Sequence, residues 1–216
     1  MKHKIHFHII TLFPEAFSSY LASSIVGRAI RDKKINVSFY NPRDFTPDKW
    51  RRVDRRPYGG GPGMVLEAPA VLKAAKKAMR KNKKARVLFL SPAGKQFTST
   101  DARKLAQVRD IVIISGHYEG VDARVRKILK AKEVSVGPFV LTGGELPAML
   151  IIDAVARHTP GVLGKSESLE ENRVASSDVY TRPEVLEWKG KKYRVPKVLL
   201  SGHHKKIEEW KAKRTK

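Results

Sequence analysis

Apolar and polar positions along this chain follow two rhythms. Short apolar runs of strand length, at Ile5–Phe13, Ile35–Tyr40, Val87–Leu90, Ile111–Ile114 and Val134–Val136, are separated by stretches with helical spacing. The helical patterns run up to Tyr20, then cover Ser24–Lys33, Pro69–Lys81, Thr100–Val108, Val121–Lys130 and Glu145–His158. Strand and helix in alternation predict an α/β fold. Three apolar runs end abruptly in glycine-rich turns: VLFL into SPAG, IVII into SGHYEG, and VSVGPFVL into TGGELP. Ligands of open α/β sheets collect outside strand carboxyl ends, so these turns nominate one pocket.

Two segments interrupt the rhythm. Asn41–Gly63 reads as a long loop rich in Pro, Gly and basic residues, and a loop of that length in a compact domain is usually functional. Its end, RPYGGGPGM over Arg56–Met64, lets a ligand approach the main chain while its cations suit phosphate. No Lys-Ser or Lys-Thr follows these glycines, which excludes a Walker A loop, and no strand precedes them as in a Rossmann fingerprint. After Pro160 the periodicity lapses into LGKSESLEENRVASSD, read as a flexible linker over 161–182. The remaining tail, 183–216, holds a short apolar segment at Val195–Leu200 and a terminal basic helix. It is too small to fold alone, so it is expected to pack on the main domain or on another subunit.

Charge sharpens the functional reading. Lys and Arg number 44 against 21 Asp and Glu, a net of +23 spread over the chain with clusters at Lys49–Arg56, Lys76–Lys84 and Lys189–Lys216. That distribution favours a folded polyanion, a nucleic acid, over a membrane surface. Cysteine is absent, which excludes disulfides and thiolate metal sites. His3, His6 and His8 cluster near the first strand and His203 and His204 are adjacent, but no HExxH-type spacing occurs, so no metal site is expected. The apolar stretches are too short to cross a bilayer and no cleavage signature follows Met1–Lys4, so a soluble cytoplasmic protein is expected.

Several residues at the turns have more than one reading. Glu119 or Asp122 suits a helix cap, and equally a ligand ammonium or hydroxyl. Gly143 and Gly144 precede a helix beginning near Glu145, whose exposed amides could meet a cofactor. Asp153 and Arg157 stand four apart and could simply pair on one helix face.

The motifs RPYGGGPGM, LSPAG, GHYEGVDARV, SVGPFVLTGGELPAM, DAVAR, PGVLG, YTRPEVLE and PKVLLSG occur in this order. Across nearly its whole length the chain resembles the bacterial tRNA (guanine-N1)-methyltransferases of the SPOUT superfamily. The resemblance implies a parallel sheet with a deep trefoil knot in a domain over 1–160, and a short helical carboxyl-terminal extension over 183–216 that helps bind tRNA. It implies methyl transfer from S-adenosylmethionine to N1 of the guanine just 3′ of the anticodon, in a homodimer whose active sites lie between subunits. Carried over by motif, Leu90, Ser91 and Pro92 form one wall of the cofactor site, and Gly116, Tyr118, Glu119 and Gly120 the second. Ser135, Val136, Gly137, Pro138, Phe139, Val140, Leu141, Gly143, Gly144 and Pro147 complete it. Arg157 is then expected to stabilise charge developing on guanine O6.

Two departures stand out. Where the family carries an aspartate assigned as general base, alignment from PGVLG places Asn172, an amide that accepts no proton at neutral pH. Glu171 ranks first as a replacement, then Glu170 and Asp178, beside the alternative that Arg157 and the pocket make a dedicated base unnecessary. The family also usually continues through a longer carboxyl-terminal domain, so a reduced domain is expected to bind tRNA here. Three functions remain in view: the tRNA guanine-N1 methyltransferase, a related RNA methyltransferase with another target, and an RNA-binding protein that has lost catalysis. The aligned motifs favour the first, and the preserved cofactor turns argue against the third.

Overall fold

The computed structural model describes residues 4–82, 84–163 and 178–213. The chain forms two compact units, residues 1–163 and 164–216. The first begins with β1 (Ile5–Ile10), α1 (Ser18–Ala22), α2 (Ser24–Arg31) and β2 (Ile35–Tyr40). A short antiparallel pair, β3 (Asp54–Arg55) and β4 (Val65–Leu66), leads into α3 (Ala68–Ala78). Then follow β5 (Arg86–Gln96), α4 (Ser99–Leu105), β6 (Asp110–Ile114), α5 (Ala123–Leu129), β7 (Lys132–Ser135) and α6 (Glu145–Arg157).

Five strands pair in the order β2-β1-β6-β5-β7, all parallel, as the alternating pattern predicts. Side chains alternate across a strand, so each strand feeds two cores. Ile5, Phe7, Ile9, Ile111 and Ile113 face one layer, packed with Leu21, Val26, Ile151, Ile152 and Val155 of α1, α2 and α6. Ile10, Val112 and Ile114 face the other, against Val71, Ala74 and Ala75 of α3 and Val125 of α5. Near-continuous apolar strands are what helices on both faces require. Val162 is buried in the first core, and Lys34 donates to the carbonyl of Gly161, so packing continues past Pro160.

Three local expectations change. The loop over Asn41–Gly63 is tied down by a 3-10 turn at Pro42–Asp44, by fully buried Val53 and by β3, elements too short to leave a periodic signal. β5 continues to Gln96 instead of ending at Leu90, because β7 goes on pairing with it beyond the SPAG turn. The second unit is more than helical: β8 (Val185–Trp188) and β9 (Lys191–Arg194) form a hairpin before α7 (Lys197–Leu200) and α8 (His204–Ala212). Its two turn residues, Lys189 and Gly190, both have positive φ, the backbone that suits a tight two-residue hairpin.

Candidate active site

The first turn bulges out within β5 after Leu90, the second and third leave the carboxyl ends of β6 and β7, and the three meet. In the first, Leu90 and Lys95 both pair with Val134, so Ser91–Gly94 loops out of the ladder as an extended bulge. A Cβ on Gly94 would lie 2.6 Å from the carbonyl carbon of Val134, a separation only glycine permits. In the second turn, Tyr118 and Gly120 adopt positive φ, and the amide of Gly120 donates to the carbonyl of His117 at 3.1 Å. The third is folded on Ser135, whose Oγ donates to the Gly137 carbonyl at 2.9 Å and accepts from the Gly137 amide at 3.3 Å.

The second and third turns are stitched together. His117 and Gly143 form an antiparallel bridge, and the Gly144 amide donates to the Gly116 carbonyl at 2.8 Å. A Cβ on Gly144 would sit 2.6 Å from Ser115 Cα and 2.9 Å from the Gly116 nitrogen. At Gly143 the obstruction is different: a Cβ there would meet Glu145 and His117, whose Nδ1 is 2.8 Å away. Both glycines thus permit one turn to approach the other.

Between the turns lies a cleft of about 240 Å³. Leu90, Ser91 and Pro92 line it, with Gly116, Tyr118, Glu119 and Gly120 opposite, and Ser135, Val136, Phe139, Val140, Leu141, Gly143, Gly144 and Pro147 around the rest. Gly137 and Pro138 are outside this lining; a Cβ on Gly137 would collide with the Phe139 ring, so that glycine shapes the turn. His117, Val134 and Thr142 also line the cleft. All three sit within or beside the motifs, and their signal was the turn itself.

The glycine-rich loop reaches this cleft at one end. The Glu119 amide donates to the Met64 carbonyl at 3.0 Å, the Leu66 amide to the Gly120 carbonyl at 2.9 Å, and a Cβ on Gly63 would come 2.6 Å from Glu119 Oε1. Gly59, Gly60 and Gly61 have positive φ and open space around them, beside fully exposed Tyr58. Asp122 proves to be the helix cap: its carboxylate accepts from the Arg124 amide at 2.9 Å. The Arg124 guanidinium on the same carboxylate holds Asp122 below the usual carboxylate range. Glu119 is thereby left to face the cleft.

Polar groups beneath the cleft are few and specific. Glu145, only 9% exposed, opens α6 and accepts from Thr11 Oγ1 at 2.7 Å, while its other oxygen is 3.9 Å from His117 Nδ1. Ser115 Oγ and His117 Nδ1 are buried and make no hydrogen bond among the described residues. Buried polar atoms are usually paired, so two such atoms beside a cleft mark it as a place where a polar ligand can bind. Leu141, Val136 and Pro147 offer apolar contact to a flat ring, and the Glu119 carboxyl can hold a cation or hydroxyls.

Arg157 is not on this lining. It closes α6, a helix of 13 residues that starts at the cleft, so it stands about 18 Å along the axis from Glu145. The Asp153 carboxylate, also on α6, accepts from the Tyr20 hydroxyl. Glu170, Glu171 and Asn172 lie outside the described residues; Asp178 begins the last described stretch and is exposed.

A family model described as "tRNA (Guanine-1)-methyltransferase TrmD" matches residues 5–216. The tRNA (guanine-N(1)-)-methyltransferase of Pseudoalteromonas atlantica is 44% identical over 214 residues, 97% of this chain and 79% of that protein. Its counterpart in Clostridioides difficile is 42% identical over 212 residues, 95% of this chain and 90% of that protein. The crystal structure of tRNA (m1G37) methyltransferase from Aquifex aeolicus superposes with a TM-score of 0.79 at 40% identity, covering 97% of this chain and 88% of that one. The matched span takes in the cleft and every turn that builds it, and the chain belongs to the tRNA (guanine-1)-methyltransferase family.

Proposed function

We propose that this protein methylates N1 of the guanine immediately 3′ of the anticodon in tRNA. The observation that carries the reading is the convergence of three strand-end turns on one cleft, in a chain of this family. The family's methyl donor is S-adenosylmethionine, which supplies an electrophilic methyl group on a sulfonium. The cleft suits it: Glu119 offers a carboxyl to its ammonium or ribose hydroxyls, Leu141 and Val136 offer an apolar surface to adenine, and Ser115 and His117 hold unsatisfied polar atoms nearby. The chain is read as threading these turns in the knot of its family.

Guanine N1 must lose its proton to attack the methyl carbon, and negative charge then grows on O6. A guanidinium aimed at O6 stabilises that charge where it develops. In one chain Arg157 is a helix length from the cleft, so the reading assigns this role to Arg157 of the partner subunit in a symmetric homodimer. Two features support a dimer. Leu146 (61% exposed) and Leu150 lie one turn apart on α6 and are both exposed, and Val140 of the third turn is also highly exposed. No described residue of the second unit is buried, so that unit lacks a core of its own. With Asn172 at the position of the family base, Glu171 is the residue assigned to take the N1 proton.

Methyl transfer from labelled S-adenosylmethionine to two tRNA transcripts, differing only in guanine or adenine beside the anticodon, tests this. We expect one methyl on the guanine transcript, mapped to N1 of that base, and none on the other. Equal labelling of both, or modification elsewhere, overturns the assignment.

A further inference from the structure

At the opposite end of the sheet from the cleft, His6, His8 and Asp110 come together, and each offers a ligand atom within 4.8 Å of the others. Strand alternation puts His6 and His8 on one face of β1, where their rings stack with centroids 3.9 Å apart. Parallel register sets Asp110, the first residue of β6, beside His6. His8 Nε2 is 3.0 Å from Asp110 Oδ1. Asp110 and Ile114 bound β6, so the cluster stands roughly 13 Å along that strand from the end that meets the cleft.

The surroundings are those of a ligand set with its outer partners in place. Tyr40 Oη lies 3.1 Å from His8 Nδ1, Ser38 Oγ 2.8 Å from His6 Nε2, and Asn82 Nδ2 donates to Asp110 Oδ2 at 2.7 Å. Each of the three side chains therefore has one polar atom held by a neutral neighbour. Metal-binding imidazoles and carboxylates are oriented in this way, with the non-ligating atom hydrogen-bonded to a second residue. His8 is 6% exposed while His6 and Asp110 are only partly covered, which leaves an approach from solvent. A tetrahedral ion with ligands at about 2.0–2.1 Å needs donor atoms roughly 3.3 Å apart, within reach of small side-chain rotations from this arrangement.

We propose that His6, His8 and Asp110 bind a divalent transition-metal ion of the zinc type, with water completing the shell. Two imidazoles and one carboxylate select such ions over magnesium or calcium, which prefer all-oxygen sites. The ion would tie the start of β1 to the start of β6, strands far apart in sequence, so its effect falls on stability and not on the methyl-transfer cleft. Spacing along the chain gave no sign of it, because the third ligand is brought by sheet register from residue 110.

The test uses the full chain, stripped with chelator and titrated with Co2+ as a spectroscopic probe, then with Zn2+. We expect one equivalent of Co2+ to give the visible absorption of a four- or five-coordinate nitrogen and oxygen site, to be displaced by Zn2+, and to raise the melting temperature. His8→Gln and Asp110→Asn should each weaken binding more than a hundredfold. Tyr40→Phe and Asn82→Ala, which keep the ligands, should weaken it about tenfold. His6→Gln, on the less buried side, serves if His8→Gln does not fold. His203→Gln with His204→Gln should leave binding intact. Absence of stoichiometric binding, binding that survives both His6→Gln and Asp110→Asn, or binding lost only with His203 and His204, overturns the proposal.

Discussion

Thr11 Oγ1 donates a 2.7 Å hydrogen bond to Glu145 Oε1, joining the residue after β1 to the first residue of α6 across most of the first unit's sequence. The same hydroxyl accepts from the Phe13 amide at 3.0 Å. Glu145 stands at the amino end of α6, where the helix dipole favours a negative charge, and its second oxygen faces His117 of the cleft. The pair therefore anchors the helix that follows the third turn.

Thr11→Val keeps the shape and removes the donor, leaving a buried carboxyl short of a partner. The expected loss is about 1–3 kcal/mol, read from urea unfolding. Unchanged stability would mean that Glu145 is held by other contacts and that Thr11 is incidental.

Glycine at 144 is required by close approach, not by a positive φ. Gly144→Ala should separate the second and third turns and weaken S-adenosylmethionine binding at least tenfold by calorimetry, because the new Cβ meets backbone that cannot swing away. Gly143→Val should act through Glu145 and His117 with a similar loss of affinity. Gly60→Ala, with positive φ but open surroundings, should cost only about 1–2 kcal/mol of backbone strain and spare cofactor affinity. Wild-type affinity in Gly144→Ala would contradict the stitched-turn account.

The Tyr20 phenol is pushed up to about 12, first by its hydrogen bond to Asp153, then by burial and by the Asp153 charge. Its protonated form is favoured by folding, so the associated stability is whole below the ordinary tyrosine value of about 10 and is lost as pH rises through the folded value. Burial and then the Asp110 charge also raise the Tyr40 phenol, so ultraviolet titration of tyrosinate among the six tyrosines should show a last step that is absent in Tyr20→Phe and moved to lower pH in Asp153→Asn, while the Tyr40 step stays in place. A late step unaffected by either substitution belongs to another residue.

Binding of tRNA should weaken steeply with salt in a chain of net charge +23. Releasing counterions gives a log–log slope of about 0.7 to 0.9 per neutralised phosphate, so five or more contacts predict a slope above roughly 3.5. Filter binding across salt concentrations measures it, and a nearly flat response would assign the charge to some other purpose.

Single-turnover rates across pH separate the two accounts of N1 deprotonation. If Glu171 is the base, Glu171→Gln should lower the rate by about 10²-fold or more and change the pH profile. Parent-like behaviour in Glu171→Gln, Glu170→Gln and Asp178→Asn together with loss of rate in Arg157→Ala would leave electrostatic stabilisation by Arg157 as the whole device.

Local pattern determined a good deal by itself. The two faces of β1, with Phe7 and Ile9 toward one core and Ile10 toward the other, follow from alternation, and the helices from their apolar stripes. The three turns were visible because glycines after apolar runs interrupt both rhythms. Short pairings such as Asp54–Arg55 with Val65–Leu66 left no period to detect, and the hairpin around Lys189–Gly190 has no buried face to impose an alternating pattern. Only the tertiary structure decided that Gly144 must meet Gly116, that Gly63 abuts Glu119, that Arg157 stands a helix length from the cleft in its own chain, and that Asp110 joins His6 and His8. Sequence spacing measures distance along the chain, whereas these relationships depend on strand register and on how closely separate turns can approach.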